Sequence, residues 1–77
     1  MVKAFVLINT EVGKENDVLR DLKKLEAVKK VYEIYGYYDI IAEVEVEDID
    51  LLAAIISDRI RRMKGINSTG TLIVIED

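Results

Sequence analysis

Between positions 39 and 47 the chain alternates more cleanly than anywhere else: Ile40, Ala42, Val44 and Val46 on one side, Asp39, Ile41, Glu43, Glu45 and Glu47 on the other. A period of two is what a strand with one buried face requires, because successive side chains leave the backbone on opposite sides. Such a strand needs a second layer to cover its aliphatic row, and the flanking sequence supplies one at helical spacing. Upstream, "EVGKENDVLRDLKKLEAV" places Val18, Leu19, Leu22 and Leu25 on one face of a helix that starts after Gly13. Its acids, Glu15 and Asp17, come early and Lys23 and Lys24 late, the order a helix dipole favours. Downstream, a helix capped by Asp48 or Asp50 buries Leu52, Ile55, Ile56, Ile60 and Met63 and stops at Gly65.

Three further strands complete the pattern. Residues 2–10 alternate Val2, Ala4, Val6 and Ile8 against Lys3, Phe5, Leu7 and Asn9, so neither face is fully wet. Residues 28–35 are rich in β-branched and aromatic side chains, and Gly36-Tyr37 suits a two-residue type II′ hairpin, which wants glycine first. The last strand is expected over 69–75. The order βαββαβ defines a ferredoxin-like α+β fold: an antiparallel four-stranded sheet with two helices on one face, the subunit topology of dimeric α/β barrels.

That fold leaves the other sheet face bare, yet Phe5 and Leu7 point to it and Leu72, Ile73, Val74 and Ile75 run in succession near it. Such side chains gain roughly 1.5–3 kcal/mol each on full burial, too much apolar surface for a comfortable monomer. Phe5, Leu7, Ile73 and Ile75 are therefore the expected contacts with a second copy.

Composition narrows the function classes. Seventy-seven residues make one domain, 1–77, with no cysteine to staple it by disulfide or thiolate metal site, so the remaining supports are a very regular fold or self-association, and oligomerisation is a leading expectation. A content of 51% hydrophobic and 34% charged residues belongs to a folded domain rather than a disordered tail. No window is long enough for a membrane span and the N-terminal apolar run is too short for a signal peptide, which makes a cytoplasmic protein the plain reading. A net charge of −4 argues against direct binding of nucleic acid, which needs a basic surface.

Catalytic chemistry is hard to find. There is no histidine or cysteine, and Ser57 and Ser68 sit in no nucleophile motif. An all-oxygen metal site would draw on Glu43, Glu45 and Glu47, but along one strand face these stand about 7 Å apart per step, a row rather than a cage. The basic run "RIRRMK", Arg59 to Lys64, is expected to complement a helix C-terminus and to pair locally, for instance Asp58 with Arg62. Among ferredoxin-like functions, "KAFVLINT" lacks RNA-binding aromatics, a copper chaperone needs two cysteines, and "INTEVGKEND" lacks the arginine of an acylphosphatase loop. No cofactor is called for.

One segment stands out. All four tyrosines fall within residues 32–38, around Gly36 and before Asp39. "VYEIYGYYDIIAEVEVED", then a helix, then "MKGINSTGTLIVIED", resembles the effector-binding (RAM) domain of Lrp/AsnC transcription regulators. That family shows Gly-x-Tyr-Asp, matched by Gly36, Tyr38 and Asp39; Gly-Val or Gly-Ile, matched by Gly65-Ile66; and Thr-x-Thr, matched by Thr69 and Thr71. The likeness spans the chain, which begins at the first strand, where the family's regulators carry a helix-turn-helix domain; it resembles a stand-alone, ACT-like form with no DNA-binding domain of its own.

The resemblance implies a homodimer through sheet faces, assembling into rings such as octamers or decamers, with amino acid effectors held between dimers near the Gly-x-Tyr-Asp turn and full-length Lrp/AsnC regulators as partners. The ligand-binding residues it suggests are Gly36, Tyr37, Tyr38, Asp39, Thr69, Gly70 and Thr71. Asp39 can accept from an ammonium, and a glycine lets the backbone approach a ligand. The same residues also serve as turn, packing and strand formers without any ligand. A non-enzymatic regulatory module is thus expected; a purely structural assembly domain and a small dimeric α/β-barrel enzyme are the alternatives.

Overall fold

The computed structural model describes residues 1–75. Strand β1 (Val2–Thr10) leads into helix α1 (Glu15–Lys23), strands β2 (Val28–Glu33) and β3 (Ile40–Val46), helix α2 (Ile49–Ile55) and strand β4 (Ile66–Ile73). The sheet order is β2-β3-β1-β4, antiparallel at every pairing, so the ferredoxin-like topology is the observed one. Buried residues fall on alternate positions of β1 and β3 as the sequence requires: Ala4, Val6, Ile8, Ile40, Ala42 and Val44 are fully enclosed beneath Val18, Leu22, Leu52 and Ile60.

The helices form for readable reasons. In α1, Asp17 pairs with Arg20 at 2.6 Å and the early acids face the N-terminal dipole; no side chain caps it, and Val18 and Leu22 carry its buried face while Leu25 lies just past its end. In α2, Asp48 rather than Asp50 is the cap: its Oδ1 accepts from the Leu51 N–H at 2.8 Å. The helix then widens into a π-helical turn over Ile56–Ile60, closed by the Arg61 N–H donating to the Ile56 carbonyl at 2.9 Å. This widening lets Leu52, Ile56 and Ile60, spaced by four, all reach the core. Because the winding ends at Ile60, Arg62 lies in the turn beyond, and the expected Asp58–Arg62 pair does not form.

Gly65 ends this segment with φ 92°, and a β-carbon there would lie 2.8 Å from Lys14 Cβ and 3.2 Å from Val18 Cγ2. Its carbonyl accepts from the Glu11 N–H at 2.7 Å, locking the start of β4 against the β1–α1 loop.

Two expectations change. The β2–β3 connection is not a two-residue hairpin: β2 ends at Glu33, and residues 34–39 form a longer loop closed by the Ile34 N–H on the Asp39 carbonyl at 2.8 Å. Strand β4 runs earlier than expected, and its register decides which face its residues take. Ile73 lies opposite Ala4, on the helix side, whereas Leu72 lies opposite Phe5 on the bare face. The bare-face residues are thus Phe5, Leu7, Ile41 and Leu72 with Tyr32; Ile73 is not among them, and Ile75 lies past the end of β4, exposed.

Candidate functional site

Asp39 sits where β1 ends and β3 begins. Its backbone N–H donates to the Ile8 carbonyl at 2.9 Å, and its Oδ2 accepts from the Thr10 N–H at 2.9 Å and from the Thr10 hydroxyl at 3.3 Å. The same hydroxyl lies 3.4 Å from Glu15 Oε1, which also accepts from the Gly13 N–H at 3.3 Å. Thr10 is thereby buried between two carboxylates from different elements. The Asp39 Oδ1 makes no hydrogen bond and remains open to solvent.

Beside this cluster is a cavity of 390 Å³ lined by Glu15, Glu33, Ile34, Tyr35 and Asp39. Three carboxylates line it and no cation does. Among the described residues no such group converges closely enough to hold a metal ion.

The loop around it is built from the tyrosines. Gly36 takes φ 139°, a conformation open only to glycine at low cost, and its surroundings are empty. Tyr35 and Tyr37 project fully into solvent. Tyr38 instead folds back across the sheet, its hydroxyl 3.2 Å from where a β-carbon on Gly70 would sit.

The seven residues expected to bind a ligand therefore separate. Gly36, Tyr37, Tyr38 and Asp39 share one loop, and Gly70 meets Tyr38 on the bare face, opposite Leu7. Thr69 and Thr71 are on the helix face of β4, with β1 between them and β3. The Thr69 hydroxyl accepts from Arg61 Nε at 3.2 Å, and Thr71 lines a groove against α2. Sequence reasoning missed Glu15, Glu33, Ile34 and Tyr35 as the lining of this cavity, and Thr10 as the residue that holds Asp39. Glu15 was visible only as a first-turn acid, and nothing local marks Thr10.

Residues 3–77 match the model of the Lrp/AsnC ligand binding domain, and the chain belongs to that family. The HTH-type transcriptional regulator FL11 of Pyrococcus abyssi is 33% identical over 73 residues, 95% of this chain and 48% of the regulator. A solved structure titled FFRP-DM1 superposes with a TM-score of 0.94 at 41% identity, covering 97% of this chain and 100% of that one. A third relative is of another kind: the homocitrate synthase of Sulfurisphaera tokodaii is 44% identical over 59 residues, 77% of this chain but 13% of that protein. The chain spans about half the length of the regulators it matches.

Proposed function

We propose that this protein is a non-enzymatic, self-assembling regulatory module that binds an amino acid at the cup formed by Asp39, Glu15 and Glu33. The observation that carries the reading is the state of Asp39. Its Oδ2 is fixed by two Thr10 donors while Oδ1 makes no hydrogen bond, and the residue lines the cavity, so the carboxylate is already held before a ligand arrives. An α-ammonium placed there gains charge-assisted hydrogen bonds. The cup supplies no cation for the ligand's carboxylate; that group is met by a neighbouring copy or by loop N–H groups, in keeping with a site completed by assembly.

The bare sheet face supports assembly. Phe5, Leu7, Ile41 and Leu72 form one apolar patch, with Leu72 58% exposed in the single chain. A second copy laid face to face covers it, and dimers then join into rings around the tyrosine loops. Membership of a regulator family supports a downstream role in transcription, through full-length relatives, in the cytoplasm. A second reading has its own observation: the match to part of a homocitrate synthase favours an enzyme as the regulated partner.

Calorimetric titration with each common amino acid tests the proposal. Saturable heat with at least one amino acid, lost in Asp39→Asn, is the expected result. Rings that bind none of them would leave the assembly role alone.

A further inference from the structure

The basic run Arg59 to Lys64 has no part in the cup or in the bare sheet face. It opens a longer stretch of one sign: between Arg59 and Ile75 the chain carries Arg59, Arg61, Arg62 and Lys64 and no acid, against a net charge of −4 overall. Part of that stretch borders a cavity of 300 Å³, lined by Arg61, Ile66, Asn67, Ser68 and Thr69. No carboxylate lines it, and it shares no lining residue with the cup.

The polar groups around it are held but not used up. Arg61 Nε donates to the Thr69 hydroxyl at 3.2 Å, which fixes the guanidinium against β4. Its two Nη nitrogens have no partner among the described residues, and the partner at Nε is neutral, so the positive charge stays uncompensated. Both hydroxyls here act as acceptors, Thr69 from Arg61 and Ser68 from Asn9 Nδ2 at 3.2 Å, which leaves each with a proton to give. The Asn67 side chain makes no hydrogen bond among the described residues.

The backbone adds to this. β4 is an edge strand, so alternate N–H groups turn away from β1. The edge is also irregular here: Asn9 lies opposite Ser68 and Thr10 opposite Ile66, so Asn67 is the extra residue of a β-bulge. A sheet edge with outward N–H groups makes a concavity that favours anions.

We infer that this cavity is a second ligand site and that it takes a small oxyanion, a phosphate or carboxylate group, on Arg61, Thr69 and the bulged edge at Asn67. The free Nη pair of Arg61 is a planar fork that two oxygens of either group can accept from. Ile66 is the one apolar side chain in the lining, so the site takes the anionic group with little hydrocarbon attached. A cationic amine meets the uncompensated Arg61 and no carboxylate, and is excluded.

The test is a titration of the intact protein with inorganic phosphate and, separately, with acetate, followed by backbone amide NMR shifts at ionic strength matched with sodium chloride. Expected are saturable shifts centred on Arg61 and residues 66–69 with at least one of the two, the tighter anion naming the group, and none with methylammonium. Arg61→Gln should lower affinity about tenfold or more, the size of one charged hydrogen bond. Arg59→Gln removes the same charge outside the lining and should lower it far less. Arg59 and Arg61 are both exposed, so neither replacement disturbs the fold. Asp39→Asn leaves the affinity unchanged, which separates this site from the amino acid cup. Absence of saturation by either anion through the millimolar range, shifts centred elsewhere, or equal losses in Arg61→Gln and Arg59→Gln would each overturn the inference.

Discussion

The Tyr38 hydroxyl lies 3.2 Å from the position a β-carbon on Gly70 would occupy, so a loop residue rests on a gap left in β4. A glycine inside a strand ordinarily costs about 0.5–1 kcal/mol relative to alanine. Gly70→Ala therefore recovers that amount only where the tyrosine ring can shift. In a Tyr38→Phe background the hydroxyl is gone, and Gly70→Ala becomes more stabilising than in the wild type. Urea unfolding of the four proteins of the cycle measures the coupling; equal effects in both backgrounds would show that the two residues do not press on each other.

Gly65 admits no such relief. Its φ of 92° is strained for any side chain, and the nearest atoms, Lys14 Cβ and Val18 Cγ2, belong to the start of α1 rather than to a flexible tip. Gly65→Ala is expected to cost about 2 kcal/mol or more, combining backbone strain with overpacking. A urea midpoint unchanged from wild type would refute this.

At Asp39 the structural and binding roles separate by choice of substitution. Asn keeps an oxygen for the Thr10 N–H and holds the fold near wild-type stability, while Ala loses that acceptor and costs about 1 kcal/mol. Both remove the charge offered to an ammonium. The expected pattern is a stable Asp39→Asn protein whose amino acid affinity falls about tenfold or more, read by calorimetry beside thermal unfolding.

The helix caps give a cleaner test of local structure. Asp48 accepts from the Leu51 N–H at 2.8 Å, whereas no hydrogen bond is made by the Asp50 side chain. Asp48→Ala should destabilise by about 1 kcal/mol and Asp50→Ala by distinctly less. Equal losses would assign the cap wrongly.

The two faces of the sheet differ in what a charge does to them. Leu7→Glu and Leu72→Glu place a carboxylate in the apolar patch and should dissociate the assembly. Ile73→Glu, on the helix side opposite Ala4, should leave its sedimentation unchanged. Dissociation by Ile73→Glu with survival of Leu72→Glu would mean that copies meet along α2 instead.

These residues also show where sequence reading stops. The period-two pattern of β3 set its two faces, and the weaker alternation of β1 set its own; with two helical stripes between strands, the topology followed. Residues 72–75 are apolar in succession, so periodicity could not tell Leu72 from Ile73. Only the antiparallel register, with its irregularity at Asn9 and Thr10, assigns them to faces. The β-branched and aromatic run through Tyr35 hid the end of β2, because nothing in propensity says where pairing stops. The cup was half legible. Asp39 stood out beside its glycine and tyrosines, but Thr10 and Glu15 reach it across the fold, and contact at that separation leaves no local trace. The π-helical turn was equally silent, since Leu52, Ile56 and Ile60 read the same whether the helix or the spacing gives way.

Thr10 carries one hydroxyl proton and faces two carboxylate oxygens, Asp39 Oδ2 at 3.3 Å and Glu15 Oε1 at 3.4 Å. One proton serves one acceptor at a time. A positive charge arriving on Asp39 weakens that oxygen as an acceptor and releases the hydroxyl toward Glu15, in the first turn of α1. On the proposed reading, news of occupancy thus has a courier one bond long, carrying it from the Asp39 loop to a helix that lies on the other layer.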